Sequence, residues 1–174
     1  MQSQFGFTST YMEMLIDQTV TICSRILADW GIRWIPMSEN IQKRTLFRYF
    51  PQCIVAVDGS VQRIPRPKVN QESFYSGKHH FHCLKMQVAV GPQGLAVDIK
   101  GPFKGRVHDF TIFQQTDTKN KIINERNNYV LYNNPQNNLG PVSALFDKGY
   151  IGVENILPQS VLPIKKPRNQ NFTP

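Results

Sequence analysis

The sequence predicts an α/β protein with a mixed β-sheet, preceded by a helical segment over residues 1–50. Three observations predict this fold class. Apolar residues recur at helical spacing in the first fifty residues, and short β-branched runs broken by glycine and proline begin at Cys53. A hairpin and then a helix separate the first of these runs from the later ones, which is an order typical of mixed sheets. The chain of 174 residues is long enough for one domain with a proper core, which we place at residues 51–174.

Two helices are predicted before residue 50. The first begins at Thr10, follows an apolar repeat and ends around Gly31, because glycine commonly terminates helices. The second extends from Ser38, which is a favourable N-cap, to Tyr49, just ahead of Pro51.

The remainder of the chain is predicted to alternate short strands with helices. The most distinct pair is a hairpin, in which His82–Val90 and Leu95–Ile99 flank a tight connection at residues 91–94. Residues 61–80 are predicted to be an irregular or edge segment, and the asparagine-rich residues 117–141 a loop-rich insertion with at most one short strand. The other predicted elements are a strand at Cys53–Val57, a helix at Val107–Gln115, a strand at Val142–Phe146, a short helix at Val153–Leu157 and a strand at Val161–Ile164.

The composition predicts a soluble protein and favours a polyanionic partner. A net charge of +8 and a pI near 9.6 fit DNA or RNA, although a solvated basic surface would give the same totals. No apolar run approaches the roughly 20 residues that span a bilayer, and the N-terminus lacks the features of a secretory signal. The three cysteines have no CxxC spacing, which predicts buried thiols in a reducing compartment.

Three aspartates occur where strand-like runs give way to turns: Asp58, Asp109 and Asp147. We expect Asp58 at the carboxyl end of the first strand and Asp147 at the end of a later one. If these strands are neighbours, the two carboxylates meet at one edge of the sheet. Carboxylates that close together need a cation, and their oxygens select Mg²⁺ or Mn²⁺. Each aspartate could instead belong to an ordinary turn.

Six separated motifs follow one another along the chain. They are Val57-Asp58-Gly59-Ser60, Phe74-Tyr75-Ser76-Gly77-Lys78, His82-Cys83-Leu84-Lys85-Met86-Gln87-Val88, Gly105-Arg106-Val107-His108-Asp109, Phe146-Asp147-Lys148-Gly149-Tyr150 and Lys165-Lys166-Pro167-Arg168. In this order they resemble the nuclease domain of Harbinger-type transposases, which are DDE superfamily endonucleases. Phe5–Tyr11 is similar to the start of the recognition helix in the helix-turn-helix that precedes this nuclease.

The resemblance implies an RNase H-like fold and metal-dependent cleavage of DNA phosphodiester bonds by a two-metal mechanism with Mg²⁺ or Mn²⁺. Asp58 and Asp147 match the first two catalytic acids, and Asp109 is interpreted as a supporting ligand or orienting acid. The third acid, a glutamate on a later helix, has no clear counterpart, because Glu154 lies only seven positions beyond Asp147. We therefore expect a nuclease domain that is truncated at its C-terminus and has weak or no activity.

Basic residues in and near the motifs are candidates for a DNA channel, because Lys and Arg neutralise phosphates without reading sequence. These candidates are Lys78, Lys85, Arg106, Lys148, Lys165, Lys166 and Arg168. The resemblance also implies a nuclear location in a eukaryote and allows for a separate DNA-binding partner protein. The main hypothesis is thus a DNA endonuclease. The alternative is an inactive remnant or domesticated nuclear protein that binds DNA or another protein.

Overall fold

The computed structural model describes residues 8–27, 31–131 and 139–163, and the chain divides into two compact units, residues 1–33 and 34–174. The first unit contains helix α1 (Ser9–Ile26), which confirms the first predicted helix. Its N-cap is Thr8, whose hydroxyl accepts a hydrogen bond from the backbone N–H of Tyr11. No residue of α1 is buried. Among the described residues, no helix is long and apolar enough to cross a membrane.

The second unit contains a five-stranded mixed sheet with helices, consistent with an RNase H-like fold. Its elements in chain order are α2 (Met37–Gln42), β1 (Cys53–Arg63), α3 (Gln71–Phe74), β2 (Tyr75–Ser76), β3 (Phe81–Val90), β4 (Ala96–Lys104), α4 (Asp109–Gln115), α5 (Thr118–Leu131), β5 (Ser143–Phe146) and two 3₁₀ turns, Lys148–Tyr150 and Val153–Asn155. The strand order is β2-β3-β1-β5, and β4 also pairs with β3. β1 is antiparallel to β3 and parallel to β5.

The central strand β1 is longer than predicted. Its first half is apolar and buried, with Ile54 and Val55 each 1% exposed in the core. The prediction that Asp58 ends this strand is wrong, because β1 continues to Arg63. Antiparallel pairing with β3 satisfies the backbone groups beyond Asp58, and this pairing overrides the turn preference of Asp-Gly.

The hairpin and the last strand are confirmed. β3 and β4 pair across the predicted connection, where the Gly94 N–H donates a hydrogen bond to the carbonyl of Gly91. β5 confirms the strand predicted at Val142–Phe146, and its parallel pairing with β1 makes these two strands neighbours, which is the condition for Asp58 and Asp147 to meet. Helix α4 confirms the helix predicted at Val107–Gln115, although it begins at Asp109.

The part of the asparagine-rich segment that the structure describes ahead of residue 132 is a helix in place of the predicted loop and short strand. In α5, Ile122 is 0% exposed and packs in the core. The Glu125 carboxylate accepts a hydrogen bond from the backbone N–H of Met37, and the Arg126 guanidinium donates to the carbonyl of Val142. These contacts with distant parts of the chain outweigh the weak helix propensity of asparagine.

Four smaller predictions also need correction. The helix predicted at residues 38–49 is only α2, which ends before Arg44 adopts a left-handed backbone conformation with φ of 55°. The predicted helix near Val153 is a 3₁₀ turn, and Val161 forms only an isolated bridge with Leu145 in place of a strand. Residues 61–80, predicted to be an irregular or edge segment, are more regular than expected and contain the end of β1, α3 and β2, which lies at the end of the strand order.

Candidate active site

Asp58 and Asp147 follow directly paired residues of neighbouring parallel strands. Val57 in β1 is the pairing partner of Phe146 in β5. Both partners are buried in the core, at 2% and 5% exposure, whereas the two aspartates that follow them are exposed. Neighbouring strands lie about 4.8 Å apart, so the pairing brings the backbones of the two aspartates close together. The Asp58 carboxylate also accepts a hydrogen bond from the backbone N–H of Gly59 at 2.7 Å.

Asp109, the first residue of α4, lies against the same edge of the sheet, by which we mean the carboxyl end of β5 where it meets the middle of β1. A Cβ atom at Gly59 would lie 3.0 Å from Asp109 Oδ1, and one at Gly149 would lie 2.9 Å from Asp109 Oδ2. The Asp109 carboxylate is therefore inserted between the backbone beside Asp58 and the turn that follows Asp147. These three aspartates form what we call the acid cluster.

The phenol of Tyr150 gives a second sign that the three acids converge. Burial raises the pKa of Tyr150, and the negative charges of Asp109, Asp58 and Asp147 raise it further, so all three carboxylates lie within electrostatic range of the phenol. The backbone N–H of Tyr150 donates to the carbonyl of Asp147 at 3.0 Å, which fixes the tyrosine in the turn directly after that acid.

Lys85 on β3 is the cationic partner of Asp109. The residue is 8% exposed, and its ammonium lies 3.0 Å from Asp109 Oδ1 and 2.8 Å from the carbonyl oxygen of Val107. The alternation of β3 places Lys85 on the same buried face as Cys83 and Gln87. Lys85 thus neutralises one acid of the cluster, and Asp58 and Asp147 remain as the pair of exposed carboxylates.

A cleft of about 1010 Å³ opens beside the acid cluster. Its walls carry several cationic or aromatic side chains, and Asp109 of the acid cluster and Gly149 are among the lining residues. The ring of Tyr75 contacts that of His82 edge to face, with centroids 5.4 Å apart. The lining side chains with charge or rings are Arg66, Glu72, Tyr75, Lys78, His82, Lys85, Arg106, His108 and Asp109. A concave surface with this chemistry suits a nucleic acid strand.

The predicted DNA-contacting residues differ in their position and in whether their charge is free to meet DNA. Lys78 and Arg106 are exposed and line the cleft, whereas the ammonium of Lys85 is occupied by Asp109. Lys148 is exposed in the turn beside Asp147. Three further candidates lie outside the described residues: Lys165, Lys166 and Arg168.

Sequence reasoning missed the close pairing of Lys85 with Asp109 and the contribution of Arg66 and His82 to the cleft. Strand alternation could have indicated that Lys85 faces inward with Cys83, and a buried lysine requires an anionic or carbonyl partner. Arg66 offers no comparable signal, because it lies between two prolines in the irregular segment after β1.

The donor chemistry of the acid cluster fits a hard divalent cation. In the described part of the chain, no group of three or more His, Cys, Asp or Glu side chains is arranged to hold a metal ion. Mg²⁺, however, is often held by one or two protein carboxylates, while waters and substrate phosphates complete its octahedron. Asp58 and Asp147, which follow the paired residues Val57 and Phe146, supply such a pair of carboxylates. A two-carboxylate site of this kind is what the residues present support.

Comparison with known proteins agrees with this geometry. The mixed sheet with acids at its edge is consistent with the RNase H-like class. The DDE superfamily endonuclease family matches residues 57–174, and the chain belongs to this family. It is also 31% identical, over 161 residues, to a protein of Microchaete diplosiphon described as a probable transposase for insertion sequence element IS702. That alignment covers 83% of this chain and 52% of the relative, so the chain spans about half the length of the curated relative it matches. No solved structure matches the chain.

Proposed function

We propose that this chain carries the nuclease site of a transposase and cuts DNA phosphodiester bonds with Mg²⁺ or Mn²⁺. The observation that carries the proposal is the parallel pairing of Val57 with Phe146, which brings Asp58 and Asp147 together at one edge of the sheet. Membership of the DDE superfamily endonucleases supports it. Asp58 and Asp147 would hold the metal, and Asp109 is proposed as a supporting acid.

Divalent metal held by Asp58 and Asp147 would supply activation of the attacking oxygen and stabilisation of the leaving oxygen, which is the chemistry of two-metal nucleases. The chain's own residues bind and orient the DNA. Lys78 and Arg106, both exposed in the cleft, are placed to neutralise backbone phosphates. Lys85 holds Asp109 in place at 3.0 Å and keeps one negative charge of the cluster neutralised before DNA arrives.

The six ordered motifs support the Harbinger type within this family, and a phylogenetic placement among DDE transposases tests that assignment. The same proposal has three further parts. Residues 51–174 form the nuclease unit, and a separate DNA-binding protein is a partner. Further DNA contacts come from Lys148, Lys165, Lys166 and Arg168. If the source is a eukaryote, we expect the chain in the nucleus, which microscopy of a tagged protein would show.

The test is nicking of supercoiled plasmid by the full chain in Mn²⁺ or Mg²⁺, together with calorimetric titration of the metal. Wild type should bind the ion saturably and nick DNA, and both Asp58→Asn and Asp147→Asn should abolish nicking and weaken metal binding. Asp117→Asn is the matched control, because it makes the same change at an aspartate that is not part of the acid cluster. Asp117 is half exposed, and its carboxylate lies 2.7 Å from the Lys100 ammonium. This variant should retain both properties.

The outcomes separate the main proposal from its alternative. Salt-dependent DNA binding without nicking or saturable metal binding, unchanged in Asp58→Asn, would contradict the nuclease and support a DNA-binding remnant. Metal-dependent nicking is the result that the main proposal expects, and it would overturn the expectation from the sequence that this chain has weak or no activity.

A further inference from the structure

Tyr150 is buried in the core, yet its hydroxyl has no hydrogen-bond partner within the described part of the chain. The residue is 1% exposed, and its ring packs against Phe146 and Phe113 at centroid distances of 5.3 and 6.2 Å. Ring packing accounts for an aromatic residue here but not for a hydroxyl. A buried donor without an acceptor destabilises a fold, whereas phenylalanine would fill the same space without that cost.

The surroundings of this hydroxyl connect it with the acid cluster. After burial, the charge of Asp109 contributes most to raising the pKa of Tyr150, followed by Asp58 and Asp147. The preceding residue, Gly149, approaches Asp109 so closely that a Cβ there would lie 2.9 Å from Oδ2. The phenol is therefore a neutral O–H donor within electrostatic range of the three carboxylates, and it hydrogen-bonds to none of them.

We propose that the Tyr150 hydroxyl is a positioning donor for the acid cluster. When the carboxylates turn towards a divalent cation, the hydroxyl donates a hydrogen bond to a carboxylate oxygen that the cation leaves free. This inference rests on the proposed metal-dependent function. A neutral donor can orient a carboxylate without repelling a cation, whereas the ammonium of Lys85 cannot. Removal of a donor that hydrogen-bonds to a metal ligand commonly weakens metal binding by about 10- to 100-fold.

The test compares wild type, Tyr150→Phe and a control, Tyr49→Phe, which removes the hydroxyl of a tyrosine that is 77% exposed. Two quantities are measured for each protein: the melting temperature without metal and the dissociation constant for Mn²⁺ by calorimetry. In Tyr150→Phe the metal-free melting temperature should stay the same or rise, because only an unsatisfied hydroxyl is lost. Its Mn²⁺ dissociation constant should rise by about 10-fold or more. Tyr49→Phe should match wild type in both quantities.

A Tyr150→Phe protein that binds Mn²⁺ as tightly as wild type would overturn the inference, whatever its melting temperature. A lower metal-free melting temperature with unchanged Mn²⁺ affinity would assign the hydroxyl a purely structural role. The failure of the proposed function has a different signature, because wild type itself would then show no saturable Mn²⁺ binding.

Discussion

The ammonium of Lys85 forms an ion pair with Asp109 at 3.0 Å, across 24 residues of sequence, and both side chains are largely shielded from water. The same ammonium donates to the carbonyl of Val107, two residues before Asp109. Lys85 thus fixes both the backbone that enters α4 and the first side chain of that helix. This connection between β3 and α4 holds Asp109 against the sheet edge where Asp58 and Asp147 lie.

Replacing Lys85 with methionine should destabilise the metal-free protein. The change keeps the side-chain volume but leaves Asp109 shielded and unpaired, which we expect to lower the free energy of unfolding by about 2 kcal/mol. The same variant should bind Mn²⁺ several-fold more tightly, because it removes a positive charge beside the acid cluster. Urea unfolding and calorimetry measure the two effects.

A double-mutant cycle with Asp109→Asn is the control for Lys85→Met. If the ion pair carries the effect, the double variant should be more stable than the sum of the two single changes predicts. Strict additivity would contradict the pairing as the cause. Since the ammonium is engaged by protein, Lys85→Met should also leave the salt dependence of DNA binding unchanged.

Gly149→Ala should disturb the acid cluster without unfolding the protein. A Cβ at this position would lie 2.9 Å from Asp109 Oδ2, so the carboxylate would have to move. We expect the Mn²⁺ dissociation constant to rise by about 10-fold, because a change in the groups that orient metal ligands typically has an effect of this size. The melting temperature should change little. Gly77→Ala is the matched control, because a Cβ there meets no atom within 4 Å. Equal Mn²⁺ affinities for the two variants would count against the placement of Asp109.

Lys78→Ala and Arg106→Ala should each weaken DNA binding in a salt-dependent manner. Both side chains are exposed in the cleft, so each should account for about one released counterion, and the slope of log K against log salt should fall by about 1 per variant. Fluorescence anisotropy at several salt concentrations measures the slope. Lys119→Ala on α5 removes the same charge from outside the cleft lining. If it changes the slope as much as the cleft variants do, the cleft is not the DNA path.

The sequence was sufficient to predict those parts of the fold that depend on local signals. The β3–β4 hairpin follows from the tight connection at residues 91–94, and strand β5 from the apolar run at Val142–Phe146. Helix α5 could not be predicted this way, because its asparagines have weak helix propensity and its stability comes from Ile122 in the core and Glu125 at α2.

The candidate site likewise has some features that the sequence shows and others that depend on tertiary packing. Two acids that directly follow apolar runs are visible in the sequence, and the structure places Asp58 within β1 and Asp147 just after β5, next to the paired residues Val57 and Phe146. The pairing of Lys85 with Asp109 and the unsatisfied hydroxyl of Tyr150 depend on how β3, α4 and the turn after β5 pack together. No local pattern encodes such packing.

The three cysteines should differ sharply in reactivity, because Cys23 is exposed while Cys53 and Cys83 are buried. Burial raises the pKa of the Cys53 thiol to about 11, and it also raises the pKa of Cys83. At about pH 8.5, where an ordinary cysteine is half ionised, a disulfide reagent should label one thiol rapidly in the native protein and three after denaturation. Cys23→Ser should abolish the rapid phase, and rapid labelling of that variant would contradict the buried positions.

Because the folded state keeps the Cys53 proton that the unfolded chain loses, the free energy of unfolding should fall between pH 9.0 and about 11. Cys53→Ala should lessen this fall in urea titrations across that range.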